Sequence, residues 1–493
     1  MSAEEAEEAS RALESEQAFW DELDTIVTPE FETSEDIDDV LRAFLELATN
    51  HKDEYLLSEY DFARYVYKLL DSKLFATNRE YVRRQILYCL LQDDDVDTLH
   101  LAAAIFLFDG RGNESAFEMM QDEGAFARLV ELISDRRDDA VGLYRMLLEL
   151  LFEMARIQKL TREDMVVVDD TFILYLFQMI EQLSDDADDP YHYPIIRVLL
   201  VLNEQYMCLA NAPTSPDTEK PLTNRILKIL SMHGPSYRTF GENLILLLNR
   251  ESSLGPQLLI LKLLYLLFTT PATYEYFYTN DLHVLVDVII RNLLDLDPGS
   301  GDLGKTADGA ERDGQRALRH TYLRVLCPLL KNTQLGREGN NYKRNEVRRL
   351  LYLLVHRSGA HFAPVDETVI RLVIRCKQVE WIREEGDEKD REIEQKLQQV
   401  APDESAVAKK LLGMSIDDGG ESSLSVDEVS AKVVAKEKPT VPAPRRRKNK
   451  AKESNGAHAA GGELKVPPAR AQVVDSPDEG GRSPFADDMA EEV

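Results

Sequence analysis

Residues 316–335 read RALRHTYLRVLCPLLKNTQL. In this stretch Leu318, Tyr322, Val325, Leu326, Leu329 and Leu330 recur at steps of three and four, the spacing of one buried stripe on an α-helix. Arg316, His320, Arg324 and Lys331 fall on another face, with Arg319 beside them. One side calls for a core and the other presents positive charge, so the histidine is expected at the surface. Pro328 has no N–H to give, and the helix is expected to kink or to end its first part near residues 324–327.

The same helical period begins at Ile37 and continues for roughly 350 residues. Helices are expected over 37–47, 59–70, 81–91, 97–108, 126–132, 142–156, 171–183, 193–209, 222–232, 241–249, 256–268, 282–296, 316–335, 345–356 and 368–383. Alternation with period two is almost absent, which makes the chain all-α. Short linkers carry standard punctuation, such as Gly255-Pro256 at a helix start and Thr270-Pro271 at a helix end. Many helices joined this way, several apolar almost all round, predict an armadillo/HEAT-like α-solenoid of stacked helices.

An internal spacing supports the repeat reading. Asn203, Asn249, Asn292 and Asn332 each follow a leucine-rich or isoleucine-rich run, at gaps of 46, 43 and 40 residues. Armadillo and HEAT repeats have a period of about 40–47. An asparagine near the end of an inner helix can bond the backbone of a docked chain. Asparagine is equally a common helix C-terminal residue, and that structural reading stands beside the functional one.

Composition divides the chain further. Residues 1–35 form an acidic leader expected to be poorly ordered, with Phe19 and Trp20 as its anchors. The helical domain is expected over 36–390, with mobile insertions at 211–221 and 297–314. A charged helix is expected at 391–416, and 417–493, poor in large apolar residues, is expected to be a disordered C-terminal tail. With 44% apolar residues the chain supports a large core, and its formal charge of −31 disfavours nucleic acid or anionic membrane as a partner. Basic residues gather in two islands, 312–349 and 432–452. The four cysteines are widely spaced, which argues for a reducing compartment and against structural zinc. The N-terminus lacks a signal-peptide pattern, and the apolar runs are too short for a bilayer, so a cytoplasmic protein is expected.

A search for chemistry returns little. Residues 299–306, GSGDLGKT, satisfy the phosphate-loop pattern, with Asp169 at the end of VVVD as a superficial acidic partner. A phosphate loop must leave a strand and open a helix, whereas 282–296 reads as a helix and acidic residues surround the glycines. A nucleotide site is therefore not expected. The nine histidines form no metal or catalytic pattern. His192 is expected to cap or pack a helix start. Glu204 stands in the most apolar setting of any carboxylate and is expected to be a core group bonded to a neighbouring helix or loop. No catalytic residue, cofactor or metal is expected.

The tail carries a binding signal. Pro439, Pro442 and Pro444 stand beside Arg445 and Arg446 in KPTVPAPRRRK. Prolines hold the extended left-handed helix that Src-homology-3 (SH3) domains accept, and an adjacent arginine fixes direction. A nuclear-localisation-like basic run and a solvated linker are the competing readings.

Several helical segments, taken together, resemble the leucine-rich domain of the WISH/DIP family, the SPIN-ninety, Ldb-seventeen and Dip-one type. They are Leu202-Asn-Glu-Gln-Tyr-Met207, Asn243-Leu-Ile-Leu-Leu-Leu-Asn-Arg-Glu251, Phe277-Tyr-Thr-Asn-Asp-Leu-His-Val-Leu-Val-Asp-Val288 and Leu318-Arg-His-Thr-Tyr-Leu-Arg-Val-Leu-Cys-Pro-Leu-Leu330. The resemblance implies an armadillo-like solenoid that binds the Arp2/3 complex and activates it without a pre-existing filament. The implied product is a linear actin filament that seeds branched networks at cortical endocytic patches. A fungal-type member is expected, with an SH3-domain endocytic adaptor as partner of the tail. The candidate Arp2/3 face is Arg316, Arg319, His320, Arg324 and Lys331, continued by Lys343, Arg344, Arg348 and Arg349. The alternative is a passive armadillo adaptor that bridges an SH3 protein to a partner.

Overall fold

Apolar segments too hydrophobic to face water on any side set the plan of the molecule. LGPQLLILKLLYLLFT, α14 (Leu254–Thr269), is buried along most of its length, as is VDTLHLAAAIFLFDGRG, α5 (Val96–Gly112). A helix apolar all round must be covered on several sides. Here the cover is other helices of the same kind: α5 packs on α8 (Val141–Ile157), α8 on α11 (His192–Asn211), α11 on α14, α14 on α16 (Gly309–Asn332), and α16 on α18 (Glu367–Lys377). The computed structural model describes residues 3–28, 33–135, 141–182, 191–211, 222–296, 309–337, 339–356 and 367–383, which all fall in one compact unit.

A second row flanks the first. α4 (Lys73–Gln92), α7 (Ala125–Asp135), α10 (Asp170–Gln182), α13 (Arg238–Arg250), α15 (Thr279–Asp295) and α17 (Arg344–His356) contact one another in that order, and each packs on the central helix that follows it. A short element precedes each second-row helix. These are α3 (Glu59–Leu70), α6 (Ser115–Asp122), α9 (Arg162–Val167), α12 (Arg225–His233) and the 3-10 turns Pro271–Thr273 and Gln334–Gly336. The described residues therefore form an all-α solenoid of six triplets, the last two opening with a 3-10 turn. Local sequence marks the starts: Ser58, Ser72, Asp95 and Asn224 cap helix N-termini with their side chains, and Thr33 and Thr161 form capping boxes with Asp36 and Asp164.

Several expectations need correction. The leader is not loose: residues Ala3–Val27 form α1, whose Phe19, Trp20, Leu23 and Val27 are buried against α2 (Ser34–Tyr55) and α3. Arg64 lies 4.0 Å over the Trp20 ring, and Lys68 pairs with Asp24 at 2.5 Å. α16 begins at Gly309, so 309–314 are helical rather than part of an insertion, and the helix continues through Pro328 instead of ending near 324–327. The charged helix at 391–416, the tail from 417 and most of the two insertions lie outside the described residues. No described helix is long and apolar enough to cross a membrane.

Candidate functional site

The stripe Leu318, Tyr322, Val325, Leu326, Leu329 and Leu330 is buried as its spacing predicts. Its opposite face is not a solvated basic surface. α16 is a central helix held by α14 and α18 and covered by α15, so both sides meet protein. His320, expected at the surface, is buried, and Arg316, Arg324 and Arg348 are half-buried. Arg319 donates through Nη2 to the Leu296 carbonyl at 2.7 Å. Lys343 pairs with Asp287 at 2.8 Å, and Arg344 donates to the Arg383 carbonyl at 2.9 Å. Lys331 and Arg349 are exposed. The nine basic candidates are thus spread over buried, paired and open positions. Long side chains on a central helix satisfy their donors on neighbouring repeats before they reach water.

The four asparagines divide between the two helix rows. Asn203 lies within α11 and Asn332 ends α16, both central helices, while Asn249 and Asn292 lie at the ends of α13 and α15 in the second row. The regular gaps therefore do not describe one ladder. Asn203 is fully buried, accepts from Asn224 Nδ2 at 2.8 Å and donates to Met207 Sδ at 3.3 Å. Asn332 donates to the Phe268 carbonyl of α14 at 2.8 Å, which ties consecutive central helices together.

Asn249 and Asn292 line one groove of about 310 Å³, at the junction of α13, α15 and the starts of α14 and α16. Its floor is a chain of hydrogen bonds. Asn292 Nδ2 donates to the Tyr322 hydroxyl at 2.6 Å, and that hydroxyl donates to Gln257 Oε1 at 3.0 Å. Gln257 Nε2 in turn donates to the Glu251 carbonyl at 2.8 Å. Arg291 reaches the Asn249 carbonyl and Asn292 Oδ1, each at 3.2 Å. Burial pushes the Tyr322 phenol up to about 12, so it stays neutral and serves as both donor and acceptor. Asn249, Arg291 and Asp295 are exposed on the walls. Exposed amide and charged groups above a fixed polar floor suit the peptide groups of a docked segment, and the rigid floor limits the ordering that binding would cost.

Sequence reasoning missed an ionic row along the central helices. Glu153 of α8 pairs with Arg156 at 2.7 Å, Arg197 of α11 at 3.6 Å and Arg111 of α5 at 3.7 Å. Burial pushes its carboxyl up, but Arg156, Arg111 and Arg197 together outweigh burial and hold it below the usual range. Arg111 and Arg145 also share Glu149, at 2.9 and 3.1 Å. Arg197 lies 3.8 Å over the Phe152 ring. The available signal was Arg145, Glu149 and Glu153 at steps of four on an otherwise apolar helix. Near this row a cleft of about 420 Å³ opens between α2, α3, α5 and α8, where Phe62 stacks on His100 at 4.3 Å.

Glu204 is bonded as expected, to Lys262 of α14, with both side chains 7% exposed. His192 begins α11 and its Nε2 lies 2.9 Å from Asn243 Nδ2, a packed helix start. The phosphate-loop pattern at 299–306 lies outside the described residues; the element before it is helix α15, and Val166-Val167 close helix α9 rather than a strand. No group of three potential metal ligands occurs among the described residues. The proline motif with Pro439, Pro442, Pro444, Arg445 and Arg446 lies outside the described residues.

Stacked triplets with polar grooves between helix ends define an armadillo-like helical-repeat protein. Within it, residues 188–347 match the SPIN90/Ldb17 leucine-rich domain, covering α11 to the start of α17. The chain is similar to Protein dip1 of Schizosaccharomyces pombe, 29% identical over 76% of this chain and 96% of that protein. It is also similar to Protein LDB17 of Eremothecium gossypii, 26% identical over 73% of this chain and 80% of that protein. Protein LDB17 of Saccharomyces cerevisiae is 27% identical over 68% of this chain and 73% of its own length. The chain thus carries the SPIN90/Ldb17 leucine-rich domain of the WISH/DIP family and is similar along most of its length to fungal proteins.

Proposed function

We propose that this chain is a non-enzymatic activator of the Arp2/3 complex that nucleates linear actin filaments without a preformed filament. In this reading it acts in the cytoplasm at cortical endocytic patches, where its filaments seed branched networks. The observation that supports the reading is a coincidence of place. The leucine-rich-domain match over 188–347 spans the repeats that build the groove at Asn249, Asn292 and Tyr322, and that carry most of the candidate basic residues. A solenoid stiffened by buried polar contacts offers a preorganised surface. If that surface binds the active arrangement of Arp2/3 more tightly than the inactive one, the difference in affinity alone shifts the equilibrium. The proline and arginine segment around Pro439–Arg446 is the proposed ligand of an SH3-domain endocytic adaptor.

The test is pyrene-actin assembly with purified Arp2/3 complex and the full chain, without preformed filaments. Acceleration that is weakened by Asn249→Ala, Arg291→Glu and Lys331→Glu, with the fold intact by circular dichroism, is the expected result. Binding of Arp2/3 without acceleration would instead leave a passive adaptor.

A further inference from the structure

Cys327 lies on α16 and Cys376 on α18, at the crossing of the last two central helices. Cys376 is wholly buried and Cys327 partly so. Cys376 Sγ donates to the Leu323 carbonyl at 3.7 Å, one turn before Cys327. Cys327 Sγ donates to the Arg375 carbonyl at 3.8 Å, one residue before Cys376. Each sulfur therefore rests against the main chain that carries the other. A disulfide needs sulfurs about 2 Å apart and Cα atoms within about 7 Å. The two helices that carry these thiols are already in contact.

We propose that Cys327 and Cys376 are an oxidation site, at which a hydroperoxide converts the facing thiols into a disulfide that staples α18 to α16. Cys327, the more open of the two, reacts first. Its thiolate attacks the hydroperoxide, forming an S–O bond and breaking the O–O bond, and the departing oxygen takes up the proton the thiol has lost. The Cys376 sulfur then attacks the Cys327 sulfur. An S–S bond forms, the S–O bond breaks, and the hydroxyl leaves as water with the Cys376 proton. Both sulfurs are oxidised and one hydroperoxide is reduced. The neighbouring Cys327 thiol and burial hold Cys376 protonated, so Cys376 is not the thiol that meets the hydroperoxide first. Trp381 Nε1, donating to the Leu330 carbonyl at 2.8 Å, already braces the same crossing.

The full chain treated with hydrogen peroxide, alkylated without reduction and digested is the direct test. The expected product is a peptide pair linked through Cys327 and Cys376, with two of the four thiols lost and both restored by dithiothreitol. The oxidised chain should melt about 5 °C higher than the reduced one, and Cys327→Ser should abolish that shift. Cys89 on α4 and Cys208 on α11 lie in other repeats and should stay reduced. If Cys327 instead ends as an untouched thiol or a sulfinic acid with Cys376 unlinked, the proposal is overturned. The linked peptide is sought in the native chain, so the answer does not depend on whether the serine variant folds.

Discussion

Glu204 of α11 and Lys262 of α14 form an ion pair with each side chain 7% exposed, between two helices that are largely apolar. Each charge depends on the other, because neither has water to replace its partner. Lys262→Met should therefore cost about 3–5 kcal/mol by leaving a carboxylate buried and alone. Adding Glu204→Leu to that variant should recover most of the loss. Urea unfolding of the two variants beside the native chain checks both statements, and a double variant no better than the single one would contradict them.

Gly110 is required by a close approach. A Cβ built on it would stand 2.2 Å from Phe117 Cζ, and Phe117 is fully buried at the α5–α6 contact. Its ring has no space into which to withdraw, so Gly110→Ala should destabilise the second triplet by about 1–3 kcal/mol. Gly112, where an added Cβ meets nothing within 4 Å, is the control. Gly112→Ala should be neutral or slightly stabilising in the same thermal melts.

His100 should make stability depend on pH. Burial first, and then Lys52, hold its pKa down to about 4 from 6.5, with Asp97 opposing. Glu59, Arg111, Arg145 and Glu149 line the cleft around it. Between these two values the unfolded chain binds the proton more readily than the folded one. Stability is therefore fully present above about pH 6.5 and is lost as pH falls toward 4, by at most roughly 1.4 kcal/mol per pH unit. His100→Phe should flatten that part of the pH profile relative to the native chain. A profile unchanged by the substitution would rule His100 out as its source.

The helix row was largely legible because apolar periodicity survives over long segments: 59–70 was expected and α3 spans Glu59–Leu70. The eight-residue α6 and six-residue α9 escaped because two turns do not establish a period. The α1 helix escaped for a different reason. Its acidic start obscures one short apolar face, Phe19, Trp20, Leu23 and Val27, which is buried against α2 and α3. Periodicity gives the width of an apolar stripe but not the number of neighbours a helix will have. That is why the polar side of α16 was read as open although His320 is buried there. Glu204 was recognisable as a core carboxylate, whereas its partner stands 58 residues away and only tertiary structure brings them together. The asparagine gaps blended two rows because residues from adjacent helices of one triplet can mimic a repeat period. Asn249 and Asn292 alone share a groove.

Glu153 faces arginines from three consecutive central helices, Arg111 of α5, Arg156 of its own α8 and Arg197 of α11. In a stacked array each repeat normally answers only to its neighbours. A single carboxylate shared this way makes three repeats one electrostatic unit. Neutralising it would leave Arg156 and Arg197 without that carboxylate and Arg111 with Glu149 alone, and the first three repeats of the stack would yield as a block rather than one repeat at a time.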